Sequence, residues 1–307
     1  MDYPDIFFTP EYQELFKDTA FGGNSAGFNS SGIDYRFYSR TIGRYKDIVS
    51  PYGYSGAVEV EKHANWNEFA KEFCKYCNSE GIIVEFSRLH PFIGQLEGTF
   101  AKGYEHNVSY IELSDSLESI RHNYDKGCKS AIKKAIISGV FIIFTDSIPK
   151  DFCSLYTETM KRLGADESYC FNQDFFDRLN YLLQGHFLVA NVVWNQRVIS
   201  SAIILHYGDY AHYFLAGNNA EFRQLGGNNL LIDCSVKAMK DMGCKIFSLG
   251  GGLKKNDSLS SFKKSFTPLS KPFYTYRKVH NQEVYNQLCQ AKGIDPNSEG
   301  YFPAYRR

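Results

Sequence analysis

The sequence repeats one order of structural patterns, and this repetition limits the possible folds more than any other feature. In the first half a strand pattern at 54–60 precedes an amphipathic helix pattern at 65–81 and a second strand pattern at 82–89. The same order returns in the second half, at 211–218, 228–243 and 244–252. Both helix patterns end at a glycine, which is typical of a left-handed helix cap. Because helices that alternate with strands indicate α/β structure, we expect an α/β protein with two equivalent halves.

The second half contains a more specific pattern. Residues 186–218 predict three antiparallel strands with turns at Asn195-Gln196 and Gly208-Asp209, after helices at 151–165 and 171–185. The length of 307 residues allows one large or two medium domains. The expected divisions are an N-terminal domain at 1–120, a basic helix with a connecting strand at 121–150, a C-terminal domain at 151–285 and a tail at 286–307.

The charge balance excludes some classes of function. Lys and Arg together number 34, as do Asp and Glu, so the chain has no net charge. Proteins that bind nucleic acid mainly through phosphate contacts need a positive excess, so we do not expect a DNA-binding protein. The acidic N-terminus lacks the pattern of a secretory signal, and no apolar stretch approaches the roughly 18 residues of a membrane span. We therefore expect a cytoplasmic location and no transmembrane segment.

One cysteine pair has the spacing of a metal or redox site. Cys74 and Cys77 are separated by two residues, but no second pair completes a zinc set. The same helix pattern places Phe69 and Phe73 on the stripe of these cysteines, which favours two buried structural thiols. We expect no metal site.

A glycine and lysine segment at 248–266 follows the last strand pattern. A phosphate loop of the Walker type needs Gly-Lys-Ser/Thr five residues after its first glycine, and Gly250, Gly251 and Gly252 all lack this pattern. Glycine at the end of a strand instead indicates a sharp turn or the close approach of another group to the backbone.

Several short segments, taken in order, resemble the FemAB-like transferases, a double-domain branch of the GNAT acyltransferases. They are YKDIVSPYGYSGAV at 45–58, VEFSRLHPF at 84–92, CKSAIKKAIISGV at 128–140, LYTETMKRLGA at 155–165, FSLGGG at 247–252 and LSSFKKSF at 259–266. This resemblance implies two tandem GNAT-like domains with mixed sheets. It also implies transfer of an acyl group from acyl-CoA to an amine, such as an amino sugar, a nucleotide-linked sugar or a cell-envelope precursor.

Two alternatives remain open at this point. The first is a transferase of the same fold that takes its acyl group from aminoacyl-tRNA and builds peptidoglycan cross-bridges. The lysines at 126, 129 and 133 share one helical face and favour it, although their spacing alone is better explained by a solvated helix face. The second alternative is a non-catalytic module that binds a sugar or a nucleotide.

The resemblance also implies a donor site in the second half. Arg223, Gly226, Gly227 and Asn228 match the pyrophosphate loop Gln/Arg-x-x-Gly-x-Gly/Ala, except that asparagine stands at its last position. GNAT proteins bind the donor with backbone amides where two strands separate and where a helix begins, so Gly250 and Gly251 are further donor-site candidates. Without the resemblance, the loop reads as an ordinary turn that caps the next helix.

The catalytic candidates are Lys263 and Phe262, from the F-K-x-x-F element. We expect Phe262 and Phe266 to anchor this element and to direct Lys263 into the site, where its ammonium would offset an oxyanion. An exposed lysine in a solvated loop is the alternative.

The acceptor candidates lie in several elements. Tyr52 and Tyr54 would stack on a sugar, and Arg88 and His90 would bind a phosphate or a carboxylate. Glu158 and Arg162, four residues apart on one predicted helix, are the remaining candidates, and they also have the spacing of a stabilising ion pair.

Overall fold

The computed structural model describes residues 3–93, 102–252, 257–298 and 300–307. The chain forms two compact units. Unit 1 takes residues 1–105 and 272–307, and unit 2 takes residues 106–271. Residues 272–285, expected in the C-terminal domain, therefore pack with the N-terminal half of the chain. No helix in the described ranges combines the length and the apolar character needed to cross a bilayer.

Helices and strands alternate through most of the described chain. The helices are α1 Pro10–Phe16, α2 Trp66–Ser79, α3 Leu117–His122, α4 Lys126–Ile137, α5 Phe152–Leu163, α6 Gln173–Leu182, α7 Gly227–Asp241, α8 Ser258–Lys264 and α9 Gln282–Ala291. The strands are β1 Asn24–Ser30, β2 Ile33–Ile42, β3 Tyr45–Val49, β4 Ala57–Glu59, β5 Ile82–Arg88, β6 Lys102–Glu112, β7 Phe141–Thr145, β8 Phe187–Trp194, β9 Arg197–Tyr207, β10 Tyr210–Asn218, β11 Ile246–Gly250 and β12 Ser270–Val279.

The strands of unit 1 follow the order β1-β2-β3-β5-β12. Strands β1 to β3 form an antiparallel meander, β3 runs parallel to β5, and β5 runs antiparallel to β12. Helix α2 packs Phe69, Phe73 and Cys77 into the core beneath the meander, and Cys74 is half-buried. The cysteine pair thus has the structural packing that the sequence favoured, and all eight cysteines are free thiols.

Unit 2 repeats the central arrangement of unit 1 and has one further strand, β7, beside its meander. Its strands follow the order β6-β11-β10-β9-β8-β7, in which β8 to β10 form an antiparallel meander and β10 runs parallel to β11. The meander expected at 186–218 is confirmed, with positive φ angles at Asn195, Gln196 and Gly208 in its turns. Helix α7 connects β10 to β11 and packs its apolar residues, including Leu231, Val236 and Met239, into the core. The tandem α/β arrangement is therefore confirmed.

One detail of the expected repeat is wrong. The strand pattern at 54–60 was matched with the strand at 211–218, but β4 covers only Ala57–Glu59 and pairs with β2. The strand of unit 1 that runs parallel to β5, as β10 runs parallel to β11, is β3 at Tyr45–Val49. This equivalence is not apparent in the sequence, because the short strand β4 lies between β3 and α2 and is therefore the strand pattern directly before the helix.

Candidate active site

The two central parallel strands of unit 2 pair over only part of their length. The register joins Tyr210 to Ile246, Ala211 to Phe247 and His212 to Ser248, and no later pair joins β10 to β11 within the described residues. Strand β10 nevertheless continues to Asn218 as a partner of β9, with an irregularity between Tyr213 and Leu215. The sheet therefore opens between β10 and β11 after His212. An opening of this kind leaves main-chain groups available to a ligand, because backbone groups that lose a ladder partner need another one.

Lys263 lies at the end of β11. It belongs to α8, and its side chain is buried, with only 8% of the residue exposed. Its Nζ atom donates a hydrogen bond to the carbonyl oxygen of Gly251 at 2.6 Å. Burial lowers the pKa of Lys263 to about 8, and the nearby carboxylate of Asp257 opposes this change. The expectation of an exposed loop lysine is thus excluded for Lys263, whereas Lys264 is exposed.

Each glycine at the end of β11 makes room for a polar side chain. Gly250 has a φ of +75°, and a Cβ atom there would lie 3.1 Å from the Nζ atom of Lys263. A Cβ atom on Gly251 would lie 2.2 Å from the imidazole of His106, and one on Gly252 would lie 2.3 Å from the carboxylate of Asp257. The glycine run thus gathers a lysine, a histidine and a carboxylate around the end of one strand. The rest of the segment at 253–256 lies outside the described residues.

His106 was not among the candidates from the sequence. It lies in β6, which runs antiparallel to β11, and its ring is half-buried. The surrounding letters GYEHNVSY show only a strand pattern, so no local signal distinguishes this histidine from a structural one. The pairing of β6 with β11, between residues more than 130 positions apart, is what brings His106 to Gly251.

Phe262 holds α8 in place. Its ring packs edge-on against the fully buried ring of Phe266, with ring centres 5.3 Å apart. Asp257 caps the first turn of α8 by accepting a hydrogen bond from the backbone amide of Ser260 at 2.7 Å. These contacts fix the helix that carries Lys263, as the F-K-x-x-F element predicts.

Helix α7 begins at a pocket beside the end of β10. The pocket contains about 250 Å³ of space that includes open solvent, and its lining includes Ser200, Asn218, Arg223, Gly227 and Asn228. No side chain caps α7, and its first backbone hydrogen bonds start at the amides that follow Asn228. The amides of Gly227 and Asn228 have no backbone acceptor within the described residues. Because such amides carry the positive end of the helix dipole, the pocket is suited to an anion.

The protein's own packing accounts for both glycines of this loop. Gly226 has a φ of +73°, and a Cβ atom there would lie 2.4 Å from the carbonyl oxygen of Ala131 in α4. A Cβ atom on Gly227 would lie 2.7 Å from the side chain of Val192 in β8. The glycines let α7 begin close to α4 and β8. This is a different reason for glycine from the close approach of a donor that the sequence suggested.

Asn228, which departs from the expected loop pattern, directs its side chain toward the sheet. Its Oδ1 atom accepts a hydrogen bond from the hydroxyl of Ser200 at 2.6 Å, and Ser200 also donates to the carbonyl oxygen of Gly217 at 3.1 Å. The side chain therefore joins the start of α7 to β9 and β10. Its backbone amide stays at the first turn of the helix.

Arg162 binds Asn218, a residue that lines the same pocket. Its guanidinium donates to the Oδ1 atom of Asn218 at 2.9 Å, and Thr159 of the same helix also bonds the backbone of Asn218. No ion pair joins Arg162 to Glu158 in the described part of the chain, so the expected helical pair does not form. Glu158 and Arg223 are both exposed. Helix α5 thus fastens the end of β10 beside the pocket at the start of α7.

The aromatic candidates lie in unit 1. The ring of Tyr52 stacks on Phe16, with ring centres 5.3 Å apart, and its carbonyl oxygen accepts a hydrogen bond from Tyr12. The ring of Tyr54 packs edge-on against Phe7 at 5.1 Å and against His90 at 5.3 Å. Both tyrosines are half-buried, and internal contacts account for most of their ring surface.

His90 and Arg88 lie in the same unit. His90 is 4% exposed, its Nδ1 atom accepts from the amides of Phe92 and Ile93, and its Nε2 atom lies 3.0 Å from Asp5. These contacts hold His90 as a buried turn residue whose ring nitrogens both have partners. The guanidinium of Arg88 lies over the ring of Phe86, 5.1 Å from its centre.

The three lysines expected on one helical face lie on α4. Lys126, Lys129 and Lys133 are all exposed on this helix, and Asp125 caps its first turn through the amide of Cys128 at 2.6 Å. Arg121, which precedes α4, instead binds Asp233 of α7 through two hydrogen bonds of 2.8 Å. The basic helix expected within 121–150 is α4, and a turn at 123–125 separates it from α3.

Comparison with known proteins agrees with this geometry. Residues 132–263 match the model of the acetyltransferase (GNAT) domain. This range covers α7, the separated strands and Lys263. No curated protein sequence matches the chain.

Solved structures share the fold of the whole chain. FemX has 13% sequence identity and a TM-score of 0.64, and the match covers 93% of this chain and 99% of FemX. L-PGS from Bacillus licheniformis has 12% identity and a TM-score of 0.57, with 95% and 99% covered. A tandem GNAT protein from the clavulanic acid biosynthesis pathway has 7% identity and a TM-score of 0.50, with 92% and 97% covered. Residues 132–263 therefore form an acetyltransferase (GNAT) domain, and the chain as a whole shares the fold of FemX and of a tandem GNAT protein.

Proposed function

We propose that unit 2 transfers an acyl group from acyl-CoA to an amine. The observation that carries this proposal is the end of pairing between β10 and β11 at His212, beside the buried ammonium of Lys263. The gap is the opening between β10 and β11 after His212. A thioester bound in this gap would meet main-chain donors along one side and the ammonium of Lys263 at the end of β11. Both features favour a transition state in which negative charge develops on the carbonyl oxygen.

The start of α7 would bind the phosphates of the donor. Its unpaired amides at Gly227 and Asn228 and the exposed guanidinium of Arg223 offer donors and positive charge to an anion. The asparagine at position 228 does not block this role, since its side chain is bonded to Ser200. The pocket at the start of α7 and the gap both lie along β10, so one extended donor would reach both.

The reaction requires a neutral amine that attacks the thioester carbonyl carbon. A C–N bond forms, the carbonyl oxygen becomes an oxyanion, and the C–S bond then breaks with release of the CoA thiol. The amine loses one proton in the process, either to solvent or to a group of the acceptor site. The protein contributes orientation of the two substrates and stabilisation of the oxyanion.

Lys263 is proposed to stabilise that oxyanion. With a pKa of about 8, its amine is mainly protonated at neutral pH. One of its three N–H groups donates to Gly251, which leaves two for other acceptors. Phe262 acts through packing, since it fixes α8, and it is a positioning residue.

The acceptor is proposed to be an amino sugar or an amine of a cell-envelope precursor. Arg162 and Glu158 are its candidate ligands in unit 2, because α5 meets β10 at Asn218 on the rim of the pocket. Tyr52, Tyr54, Arg88 and His90 remain proposals for unit 1, and the internal contacts of His90 and Tyr52 give them a structural role in addition.

A second candidate donor is aminoacyl-tRNA. The exposed lysines of α4 favour it, because RNA affinity depends on contacts between basic side chains and phosphates.

Calorimetric titration distinguishes acyl-CoA from aminoacyl-tRNA as the donor. We expect wild-type protein to bind acetyl-CoA with a 1:1 stoichiometry, and Arg223→Ala to bind it about tenfold more weakly, since a charge-assisted phosphate contact is lost. Lys161→Ala, an exposed lysine on α5, is the matched control and should bind as wild type does.

Other outcomes would redirect the proposal. Absence of acetyl-CoA binding together with salt-sensitive binding of aminoacyl-tRNA would favour the second donor. Binding of a sugar nucleotide without turnover of either donor would favour a non-catalytic module.

A further inference from the structure

A group of apolar side chains is exposed at one end of unit 2. These side chains are Ile136 and Ile137 at the end of α4, Phe141 and Ile143 of β7, and Val198 of β9, and between 45% and 75% of each residue is exposed. We call this group the α4–β7 patch. Most apolar residues of this size are buried in soluble domains, and clusters of exposed ones mark sites of interaction.

The members of the patch lie on both sides of the strand β7. Ile142 and Phe144 pack on the core that α4 covers, so Phe141 and Ile143, which alternate with them, face the other side of the sheet from α4. Only Ser138, Gly139 and Val140 separate the end of α4 from β7, and the indole of Trp194 donates to the carbonyl oxygen of Ser138 at 2.9 Å. In the sheet, Phe141 pairs with Val193, and Val193 pairs with Val198. Paired residues of antiparallel strands share a face, so Phe141 and Val198 lie in one row across three strands. Strand β7 is the last strand in the described order of unit 2.

The chain segments that carry the patch, between Asp125 and Asp146 and at 187–207, contain basic residues and no acidic ones. Residues 126–145 contain four lysines, at 126, 129, 133 and 134, and no Asp or Glu. All four lysines are exposed, and Lys133 and Lys134 lie one turn before Ile136 and Ile137. Residues 187–207 likewise contain no acidic residue, and Arg197 is exposed beside Val198.

We propose that the α4–β7 patch is a docking site for the surface of an anionic lipid bilayer. Aliphatic and aromatic side chains flanked by lysines match the boundary between acyl chains and negative headgroups, which attracts both kinds of residue. A nucleic acid would use the lysines and would gain nothing from the exposed isoleucines. A bilayer uses both features. The surface requires no spanning helix, and the inference is independent of which acyl donor the protein uses.

Vesicle sedimentation tests this assignment with the full chain. We expect the protein to pellet with vesicles of phosphatidylcholine and phosphatidylglycerol, to stay in solution with pure phosphatidylcholine, and to be released by 0.5 M salt, roughly a concentration at which exposed charges are screened. The variant Lys133→Ala/Lys134→Ala should bind at least about tenfold more weakly, as expected for two basic residues near an anionic surface. The variant Ile137→Ser/Phe141→Ser should bind at least about tenfold more weakly too, because its apolar contact is lost.

Matched controls separate the patch from general effects. Lys75→Ala/Lys292→Ala removes the same charge from exposed positions of unit 1, and Leu163→Ser/Tyr181→Ser removes exposed apolar side chains of α5 and α6. Both should bind vesicles as wild type does. Circular dichroism melting of every variant shows whether it is folded, and a patch variant that unfolds is replaced by Ile137→Gln alone.

Three results would overturn the proposal. The first is absence of binding to anionic vesicles, including the case in which tRNA binds in a salt-sensitive manner. The second is equal binding by the patch variants and the wild type. The third is self-association in analytical ultracentrifugation that Ile137→Ser/Phe141→Ser abolishes, which would make the patch an interface between two copies of this chain.

Discussion

The Nζ atom of Lys263 lies 2.6 Å from the carbonyl oxygen of Gly251, and this hydrogen bond joins α8 to the end of β11. The contact places a buried ammonium where the pairing of β10 with β11 has already ended. A lysine is costly to bury, so its position beside an opening of the sheet favours a functional role.

The first prediction concerns the charge of Lys263. Lys263→Ala should lower kcat by about 100-fold or more, the loss seen when one donor to an oxyanion is removed, with little change in acyl-CoA affinity. Steady-state kinetics and calorimetric titration measure the two effects separately. Lys264→Ala changes the exposed neighbour and should leave kcat as in wild type. Equal kcat values for Lys263→Ala and wild type would remove Lys263 from the mechanism.

The second prediction concerns stability and pH. The pKa of Lys263 is about 8 in the folded protein, below its ordinary value of 10.5, so the unfolded chain binds more protons between these two pH values. The free energy of unfolding therefore rises with pH between about 8 and 10.5. Lys263→Met removes the free-energy cost of burying a charged amine. It should raise the free energy of unfolding by up to about 3 kcal/mol at pH 7, but by only about 1 kcal/mol at pH 10.

Urea denaturation of Lys263→Met and wild type at the two pH values checks this difference. Lys264→Met is the control, since its amine is exposed. A stability difference that is the same at pH 7 and pH 10 would contradict a lowered pKa for Lys263.

The third prediction concerns Gly251. A Cβ atom at this position would lie 2.2 Å from the ring of His106, so Gly251→Ala should lower the free energy of unfolding by about 1–3 kcal/mol through overpacking. Gly251→Ala/His106→Ala removes the obstructing ring and should recover most of the loss relative to His106→Ala alone. Chemical denaturation of the four proteins in this double-mutant cycle gives the coupling. Purely additive effects would show that the ring is not the obstacle.

The fourth prediction concerns the start of α7. Gly226→Ala introduces a side chain at a φ of +73° and 2.4 Å from the carbonyl oxygen of Ala131, so we expect a loss of about 3 kcal/mol or more. Gly185→Ala has a similar φ of +82° but no atom within 4 Å of the new Cβ, and it should cost only about 1 kcal/mol. The difference between the two losses in chemical denaturation measures the close packing of α7 on α4. Equal losses would show that φ alone requires glycine at position 226.

Much of unit 2 could be predicted from the sequence because its signals are local. The turns at Asn195-Gln196 and Gly208-Asp209 punctuate three apolar strands, and α7 ends at a glycine. Unit 1 was harder. Residues 24–49 form three strands with many Ser, Asn, Arg and Tyr side chains, so their alternation is weak and the meander was not predicted.

In the candidate site, too, the features with local sequence signals could be predicted and those that depend on distant segments could not. The F-K-x-x-F spacing predicts that two rings anchor α8 and that Lys263 points inward, and both hold. The placement of His106 and Asp257 around the glycines depends on pairing between distant segments and on a turn whose path the sequence does not specify. The packing role of Gly226 depends on α4, which lies about 90 residues earlier in the chain, and that of Gly227 depends on Val192 of β8.

Hydrogen–deuterium exchange with acetyl-CoA tests the central claim most directly, since it reports on the separated strand itself. The account predicts that acetyl-CoA slows exchange at the amides of 213–218 in β10 and of 226–229 at the start of α7, while exchange in β7 and β8 stays unchanged. Tight binding of acetyl-CoA that leaves the exchange of both segments unchanged would contradict an acyl site in the gap between β10 and β11.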